Sequence, residues 1–245
     1  MIKTGKDHLE QLQDGRVVYI GDEKVSDVTK HPSLKRAAKT VAELYDLKHS
    51  KKYKEQLTYD ENGETYSAWF IRAKSKDDLR KRSKAHKIIA DHTSGMMGRS
   101  MDHVASFVTG MSTSTKIFDN DKYKFSQNLL NYYEYMKKND VFASYAVVPP
   151  QAARNPEFYQ KRNLPIPTLS VVDENDKGVV ISGMKMLATS AIFANEIWIG
   201  NLIPLAPDQV KQSITCAIPC NSNGLSLWMR QPLSNHYDNQ FDAPL

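Results

Sequence analysis

The stretch Ala143-Ser144-Tyr145-Ala146-Val147-Val148-Pro149-Pro150 marks the place where the character of the chain changes. Its first six residues favour an extended strand, and a helix interior would not tolerate the two prolines that follow. Before this stretch apolar residues recur mostly at helical spacing, whereas after it they fall in short β-prone runs between glycine, proline and asparagine. We therefore predict an α+β protein, with a mostly helical domain over residues 1–141 and a β-domain over residues 142–245.

The front part is expected to contain four helices. Ser75 and Asp78 have the spacing of a capping box and indicate the start of the longest helix. The predicted ranges are 33–49, 75–93, 101–112 and 121–138. Two further segments, 14–32 and 65–71, are extended or β-prone, although the second could also be a buried loop.

The rear part is expected to be a mostly antiparallel β-structure. Runs at 168–173 and 178–187 flank a turn that has glycine near its end, which is typical of a hairpin. Further β-prone runs follow at 189–199, 213–218 and 225–230. The final segment, 234–245, has the composition of a loop leading to another strand, so we expect this domain to be incomplete.

The composition indicates a soluble globular protein. Hydrophobic residues make up 40 % of the chain and charged residues 25 %, which argues against disorder as the dominant state. The net charge of +5 is mild, and the basic run at 72–87 is not interleaved with aromatic residues, so nucleic-acid binding is disfavoured. No run approaches the roughly 18 apolar residues of a membrane span, and no apolar stretch follows the N-terminal charges. We expect a cytoplasmic protein that does not bind a membrane.

The sequence offers no metal site and no common hydrolase or nucleotide motif. Cys216 and Cys220 lie in and just after a β-prone run, where residues four apart are separated by about 13 Å, too far to share one zinc ion. The histidines form no His-x-x-x-His pair, and the chain contains no nucleophile elbow, P-loop or Gly-x-Gly-x-x-Gly.

The segment Met97-Gly98-Arg99-Ser100-Met101-Asp102-His103 could carry chemistry. Arg99 precedes a predicted helix, and His103 lies four residues later on the same face. Together they could hold an anionic oxygen such as a carboxylate or a phenolate. The alternative is that Arg99 pairs with Asp102 and that His103 occupies an ordinary core position.

Two more segments could contact a planar ligand. One is the strand that enters Pro149-Pro150, because Gln151 and Arg154 follow it directly; the other is the β-prone run 181–190, which carries Thr189 near its end. Alone, the first could equally be a domain junction and the second an ordinary strand.

Taken together and in order, five motifs give the chain a family resemblance. They are Asp14-Gly15-Arg16, Val28-Thr29-Lys30-His31-Pro32, Gly98-Arg99-Ser100-x-Asp102, Val148-x-Pro150-Gln151 and Ser182-Gly183-x-Lys185-x-x-Ala188-Thr189. This set resembles the oxygenase component of the 4-hydroxyphenylacetate 3-hydroxylase family, over about residues 10–245.

The resemblance implies an FAD-dependent monooxygenase with an acyl-CoA dehydrogenase-like architecture, in which the middle domain is an antiparallel barrel or sandwich. In that family a separate reductase supplies reduced FAD, and O₂ is used to hydroxylate a phenol ortho to its hydroxyl group. Arg99 would face the phenol oxygen, with His103 and Tyr145 as its catalytic neighbours. The positions that would contact the flavin are Tyr145, Ala146, Val147, Gln151, Ala152, Ala153, Arg154 and Thr189.

The chain also departs from the family pattern. The phenol hydroxylases carry tyrosine at position 103 and histidine at position 145, whereas this chain carries His103 and Tyr145. If both side chains face one pocket, the two roles can be exchanged; otherwise the substrate or the reaction differs. The family continues into a C-terminal helical bundle that covers the flavin and builds a homo-oligomer, and we expect that bundle to be missing here.

Three functions are therefore compared. The first is a phenol monooxygenase acting on a 4-hydroxyphenylacetate-like substrate, and the second is a non-catalytic remnant of that family. The third, an acyl-CoA dehydratase or isomerase, needs cysteines for an iron–sulfur cluster in the front part, and residues 1–215 contain none.

Overall fold

The computed structural model describes residues 2–176, 178–202 and 204–230. The helices in these ranges are α1 (Gly5–Gln11), α2 (Lys35–Asp46), α3 (Lys54–Leu57), α4 (Lys76–His92), α5 (Met101–Met111), α6 (Ser126–Asn139) and α7 (Pro156–Gln160). The strands are β1 (Val17–Ile20), β2 (Glu23–Val25), β3 (Thr58–Glu61), β4 (Glu64–Ser67), β5 (Ala143–Ala146), β6 (Ser170–Asn175), β7 (Gly178–Ser182), β8 (Glu196–Ile199), β9 (Cys216–Pro219) and β10 (Ser226–Met229). The strand-leading loop predicted at 234–245 lies outside the described residues.

The four predicted helices of the front part are confirmed as α2, α4, α5 and α6. The capping box of α4 forms as expected: the Ser75 hydroxyl accepts from the Asp78 N–H at 3.1 Å, and the Asp78 carboxylate accepts from the Ser75 N–H at 2.9 Å. Helix α6 begins at Ser126 rather than at 121. The reason is a turn in which the Asp119 carboxylate accepts from both the N–H and the hydroxyl of Ser126, each at 2.9 Å.

The front part also contains a hairpin that was not predicted from the sequence. Strands β3 and β4 pair antiparallel around Asn62 and Gly63, whose φ angles of 53° and 83° are both positive. A two-residue Asn-Gly turn of this kind matches the twist of antiparallel strands. The segment 65–71 therefore resolves into the end of β4 and a 3₁₀ turn at Ala68–Phe70.

Within the described residues, the rear part does not form the predicted antiparallel barrel or sandwich. The described strands make four small open sheets, in the orders β10-β1-β2, β3-β4, β5-β8-β9 and β6-β7. The predicted hairpin is confirmed as β6-β7, but β5 pairs parallel with β8, which brings Tyr145 opposite Trp198. A parallel partner needs a long crossover connection, and the residue pattern of a strand does not reveal which partner it will take.

Packing connects the front and rear parts. Strand β10 pairs parallel with β1, so a strand from the end of the described chain completes the first sheet. Within the front part, the Lys48 ammonium donates to the Asp140 carboxylate, and both side chains are buried. A link between the two parts comes from Lys3. Lys3 donates from its ammonium to the Asn195 side chain at 2.9 Å. The division into domains at residue 141 stays a prediction.

Candidate active site

The turn before α5 is held by a buried carboxylate. Asp102 accepts from Nδ1–H of His86 and from the Ser100 hydroxyl, each at 2.5 Å. Burial by itself would raise the pKa of Asp102, but these hydrogen bonds hold that pKa below its usual value. Asp102 is therefore ionised and pairs with His86, not with Arg99, which leaves the Arg99 guanidinium available to the site. The same bonds fix the turn that carries Arg99 and His103.

The three predicted catalytic side chains meet at this point. The Arg99 guanidinium carbon lies 5.7 Å from the centre of the Tyr145 ring, within cation–π range. The His103 ring lies 5.9 Å from the same ring and meets it edge-on. All three side chains are half-buried, so they border the solvent rather than fill the core. Residues from two distant segments of the chain thus form one cluster.

Two further aromatic residues complete the wall of this cluster. Phe107 lies one helical turn after His103, with ring centres 5.8 Å apart, and it is 5.2 Å from Tyr145. Trp198 packs against Phe107 at 5.6 Å. The four-residue spacing from His103 could have identified Phe107 from the sequence. Trp198 could not have been found in this way, because it depends on the pairing of β5 with β8.

The environment sets the protonation state of His103. Burial lowers the pKa of His103, and the positive charge of Arg99 lowers it further, against the opposing charge of Asp102. His103 is therefore a neutral imidazole at neutral pH, and its ring offers one acceptor and one donor nitrogen.

The predicted flavin-contacting segments differ in what they expose. Ala146 and Val147 are buried, so only their backbone could reach a ligand, whereas Tyr145 is half-buried. Beyond the two prolines, Gln151–Arg154 form a 3₁₀ turn. In that turn Gln151, Ala152 and Arg154 are exposed and Ala153 is half-buried.

Thr189 lies next to β5. Val148 forms an antiparallel bridge with Met186, and the Ser144 hydroxyl donates to the Thr189 carbonyl at 2.8 Å. This pairing places Thr189, which is exposed, beside Ser144, the residue before Tyr145 on β5. Thr189 therefore lies next to the strand that carries Tyr145, and contact of these residues with a flavin stays a prediction.

Lys185 links the connection between β7 and β8 to the end of β8. Its ammonium donates to the Gly200 carbonyl at 3.0 Å and to the Asn201 side chain at 2.9 Å, just beyond the end of β8. Burial lowers the pKa of Lys185.

The described residues contain neither a cluster suited to a metal ion nor a helix suited to a membrane. No group of three or more histidine, cysteine, aspartate or glutamate side chains there is placed to hold a metal ion. Nor does any helix in those ranges combine the length and the apolar character that a bilayer crossing requires.

The family model described as the N-terminal part of 4-hydroxyphenylacetate 3-hydroxylase matches residues 4–245. The chain belongs to this family. Among curated relatives, the 4-hydroxyphenylacetate 3-monooxygenase oxygenase component of Thermus thermophilus is 35 % identical, over 100 % of this chain and 50 % of that protein. The FADH(2)-dependent monooxygenase TftD of Burkholderia cepacia is 31 % identical, over 94 % of this chain and 45 % of that protein.

Solved structures agree with this membership of the 4-hydroxyphenylacetate 3-hydroxylase family. The oxygenase component HpaB, in complex with FAD and 4-hydroxyphenylacetate, matches with a TM-score of 0.88 and 34 % identity, over 99 % of this chain and 50 % of that chain. An archaeal 4-hydroxybutyryl-CoA dehydratase from N. maritimus has a TM-score of 0.77 at 23 % identity, over 91 % of this chain and 45 % of that chain, which shows a shared fold alone. The chain spans about half the length of the relatives it matches.

Proposed function

We propose that this chain forms the phenol- and flavin-contacting half of the oxygenase component of a two-component monooxygenase. Such an enzyme hydroxylates a 4-hydroxyphenylacetate-like phenol ortho to its hydroxyl group and receives reduced FAD from a separate flavin reductase. The observation that carries the proposal is the convergence of Arg99, His103 and Tyr145 on one half-buried aromatic cluster.

Arg99 is the group that binds the phenol oxygen. A guanidinium forms its strongest hydrogen bonds with oxyanions, so Arg99 favours the phenolate over the phenol and increases the electron density of the ring. His103 is neutral because burial and Arg99 both lower its pKa, and it is therefore able to accept the phenol proton. The rings of Phe107 and Tyr145 supply an apolar surface for the substrate ring.

The contact between His103 and Tyr145 supports an exchange of roles within the family. Tyrosine and histidine occupy these two positions in the opposite order in the phenol hydroxylases, and here the two rings lie 5.9 Å apart. Each side chain carries a donor, so swapping them inside one cluster keeps both a phenol hydroxyl and an imidazole beside Arg99. The geometry therefore favours a phenolic substrate over a different reaction.

The exposed groups along β5 fit a flavin. The side chains of Gln151, Arg154 and Thr189 are all exposed on segments that flank this strand, and they offer an amide, a cation and a hydroxyl. A cation suits the diphosphate of FAD, and the amide and hydroxyl suit its polar ring edge. When it is bound, reduced FAD supplies with O₂ the oxygen atom that is transferred. The side chains of this chain bind the flavin and the phenol, orient them, and exclude water from them.

Turnover in this family is assigned to the whole length of the relatives, of which this chain spans about half. The relatives are about twice as long, and we assign to their remaining half the C-terminal helical bundle that covers the flavin, completes the middle domain and builds the oligomer.

Binding of 4-nitrophenol tests the phenol site without any need for turnover. The wild-type chain should bind the nitrophenolate anion and lower the apparent pKa of the phenol, which the visible absorbance of the anion reports. Arg99→Gln should weaken binding of the anion by about 10- to 100-fold, since a hydrogen bond to a charged group contributes about 1.5–3 kcal/mol. Arg80→Gln is the matched control, because Arg80 is exposed and forms a local ion pair with Asp77.

Anaerobic gel filtration with reduced FAD tests the second ligand. The proposed function predicts that reduced flavin co-elutes with the chain. A chain that retains neither reduced FAD nor nitrophenolate would refute the binding function and identify the remnant.

A further inference from the structure

The connection between β7 and β8 has an unusual backbone. Its last part, residues 187–194, carries Thr189 and is called here the Thr189 loop. Leu187 and Ser190 both have φ angles of 62°, in the left-handed region that residues other than glycine seldom adopt. Two such residues on either side of Thr189 persist only when the surrounding structure holds them.

Side chains from distant parts of the chain hold this loop by its carbonyl groups. Four side chains donate to five of its backbone oxygens: Ser144 to Thr189 at 2.8 Å, Cys220 to Ala191 at 3.5 Å, Arg16 to Ile192 at 3.1 Å and to Ala194 at 2.7 Å, and His8 to Phe193 at 2.9 Å. Hydrogen bonds from side chains to a loop backbone fix its path without using the side chains of the loop itself. Thr189 thus keeps an exposed side chain on a fixed backbone.

Arg16 makes two of these bonds and is itself held rigidly. Its side chain is 3 % exposed, and its Nε and Nη2 donate to the Asp14 carboxylate at 2.9 and 2.8 Å. Gly15 has a φ angle of 83°, a turn that lets the Asp14 carboxylate reach back to Arg16. This geometry explains the Asp14-Gly15-Arg16 motif, which has no part in the cluster around Tyr145.

We propose that Arg16, oriented by Asp14, is a positioning residue that fixes the Thr189 loop for flavin binding. The role of Arg16 in flavin binding rests on the proposed function, whereas its role in holding the loop does not. A loop already held in its binding conformation loses less conformational freedom when the ligand binds, and the affinity is correspondingly higher.

Arg16→Lys and Ser144→Ala test this role on the full chain. Lysine keeps the positive charge, but its single ammonium cannot reproduce the planar fork that spans Asp14 and two carbonyls. Among the described residues the Ser144 hydroxyl donates to the Thr189 carbonyl, so Ser144→Ala removes this hydrogen bond and adds no larger side chain. Both variants should show about tenfold faster amide hydrogen exchange within 187–194, and about tenfold weaker binding of reduced FAD by anaerobic titration.

Lys137→Met is the matched control for a general loss of stability. Lys137 is another buried cation, paired with Glu61 and Glu134 at 2.8 and 2.9 Å, far along the chain from the loop. The Lys137→Met variant should have a lower midpoint of urea unfolding. Its amide exchange in the Thr189 loop and its flavin affinity should stay close to those of the wild type.

The outcomes separate the two proposals. If the loop exchange and flavin affinity of Arg16→Lys and Ser144→Ala match those of Lys137→Met, the positioning role is overturned while the proposed function stands. If the wild-type chain retains no reduced FAD, the proposed function fails, and the exchange rates alone decide: faster exchange confined to 187–194 supports the positioning role, and unchanged exchange overturns it.

Discussion

Replacing His8 by glutamine should remove part of the acid sensitivity of this fold. His8 lies on α1 and is fully buried, with its ring stacked on Tyr45 at 4.6 Å. Its Nε2–H donates to the Phe193 carbonyl at 2.9 Å, and its Nδ1 has no partner among the described residues. A second proton on Nδ1 would therefore place a buried N–H without an acceptor and a charge close to Lys3.

The size of the effect follows from the pKa. Burial, and then the positive charge of Lys3, lower the pKa of His8 from 6.5 to about 3 in the folded protein. Below about pH 6.5 the unfolded chain binds a proton that the folded protein refuses, so stability falls as the pH falls. The stability that the neutral His8 ring contributes is fully present above pH 6.5 and is progressively lost as the pH falls toward 3. Linkage gives a loss of about 2 kcal/mol by about pH 5.

Urea unfolding of the wild type and of His8→Gln at about pH 7.5 and about pH 5 measures this loss. Glutamine can still donate to the Phe193 carbonyl but does not titrate, so the wild type should lose about 2 kcal/mol more than the variant between the two conditions. His92→Gln serves as control, because it replaces an exposed histidine. Equal losses in wild type and His8→Gln, or a His8 imidazole that titrates near pH 6.5 by NMR, would refute the reasoning.

Three further changes test other parts of the structure. Lys48→Met should lower the free energy of unfolding by about 3–5 kcal/mol in urea titrations, because it leaves the Asp140 carboxylate buried without its cation. Gly183→Ala should lower the thermal unfolding midpoint, because Gly183 has a φ angle of 124° and a Cβ there would lie 2.1 Å from a backbone oxygen. Arg99→Gln should raise the pKa of His103 measured by NMR, because the neighbouring positive charge is removed.

Matched substitutions distinguish these effects from general ones. Lys51→Met replaces an exposed lysine and should leave stability within about 0.5 kcal/mol of the wild type. Gly110→Ala, within α5, meets no neighbouring atom and should stabilise the protein by about 0.5–1 kcal/mol. Arg80→Gln should not change the pKa of His103. A His103 pKa unmoved by Arg99→Gln would contradict the assigned charge interaction.

The local elements of the fold were predictable because neighbouring residues determine them. The capping box at Ser75 and Asp78 set the start of α4, and the spacing of Arg99 and His103 put both at one end of α5. The predicted start of α6 at residue 121 was wrong, because Asp119 accepts from the Ser126 N–H through a turn that helical periodicity does not reveal.

The ordered motifs in the sequence determined family membership and, without any knowledge of contacts, predicted Arg99, His103 and Tyr145 as site residues. Tertiary structure alone decided that Tyr145 meets His103, because that contact depends on β5 packing beside α5 and pairing in parallel with β8. The reason is physical: helix periods and caps involve residues within one or two turns, whereas strand partners are chosen by burial across the whole chain. The open sheets and the Arg16 bonds to the Thr189 loop, which span more than 170 residues of sequence, belong to that second kind of information.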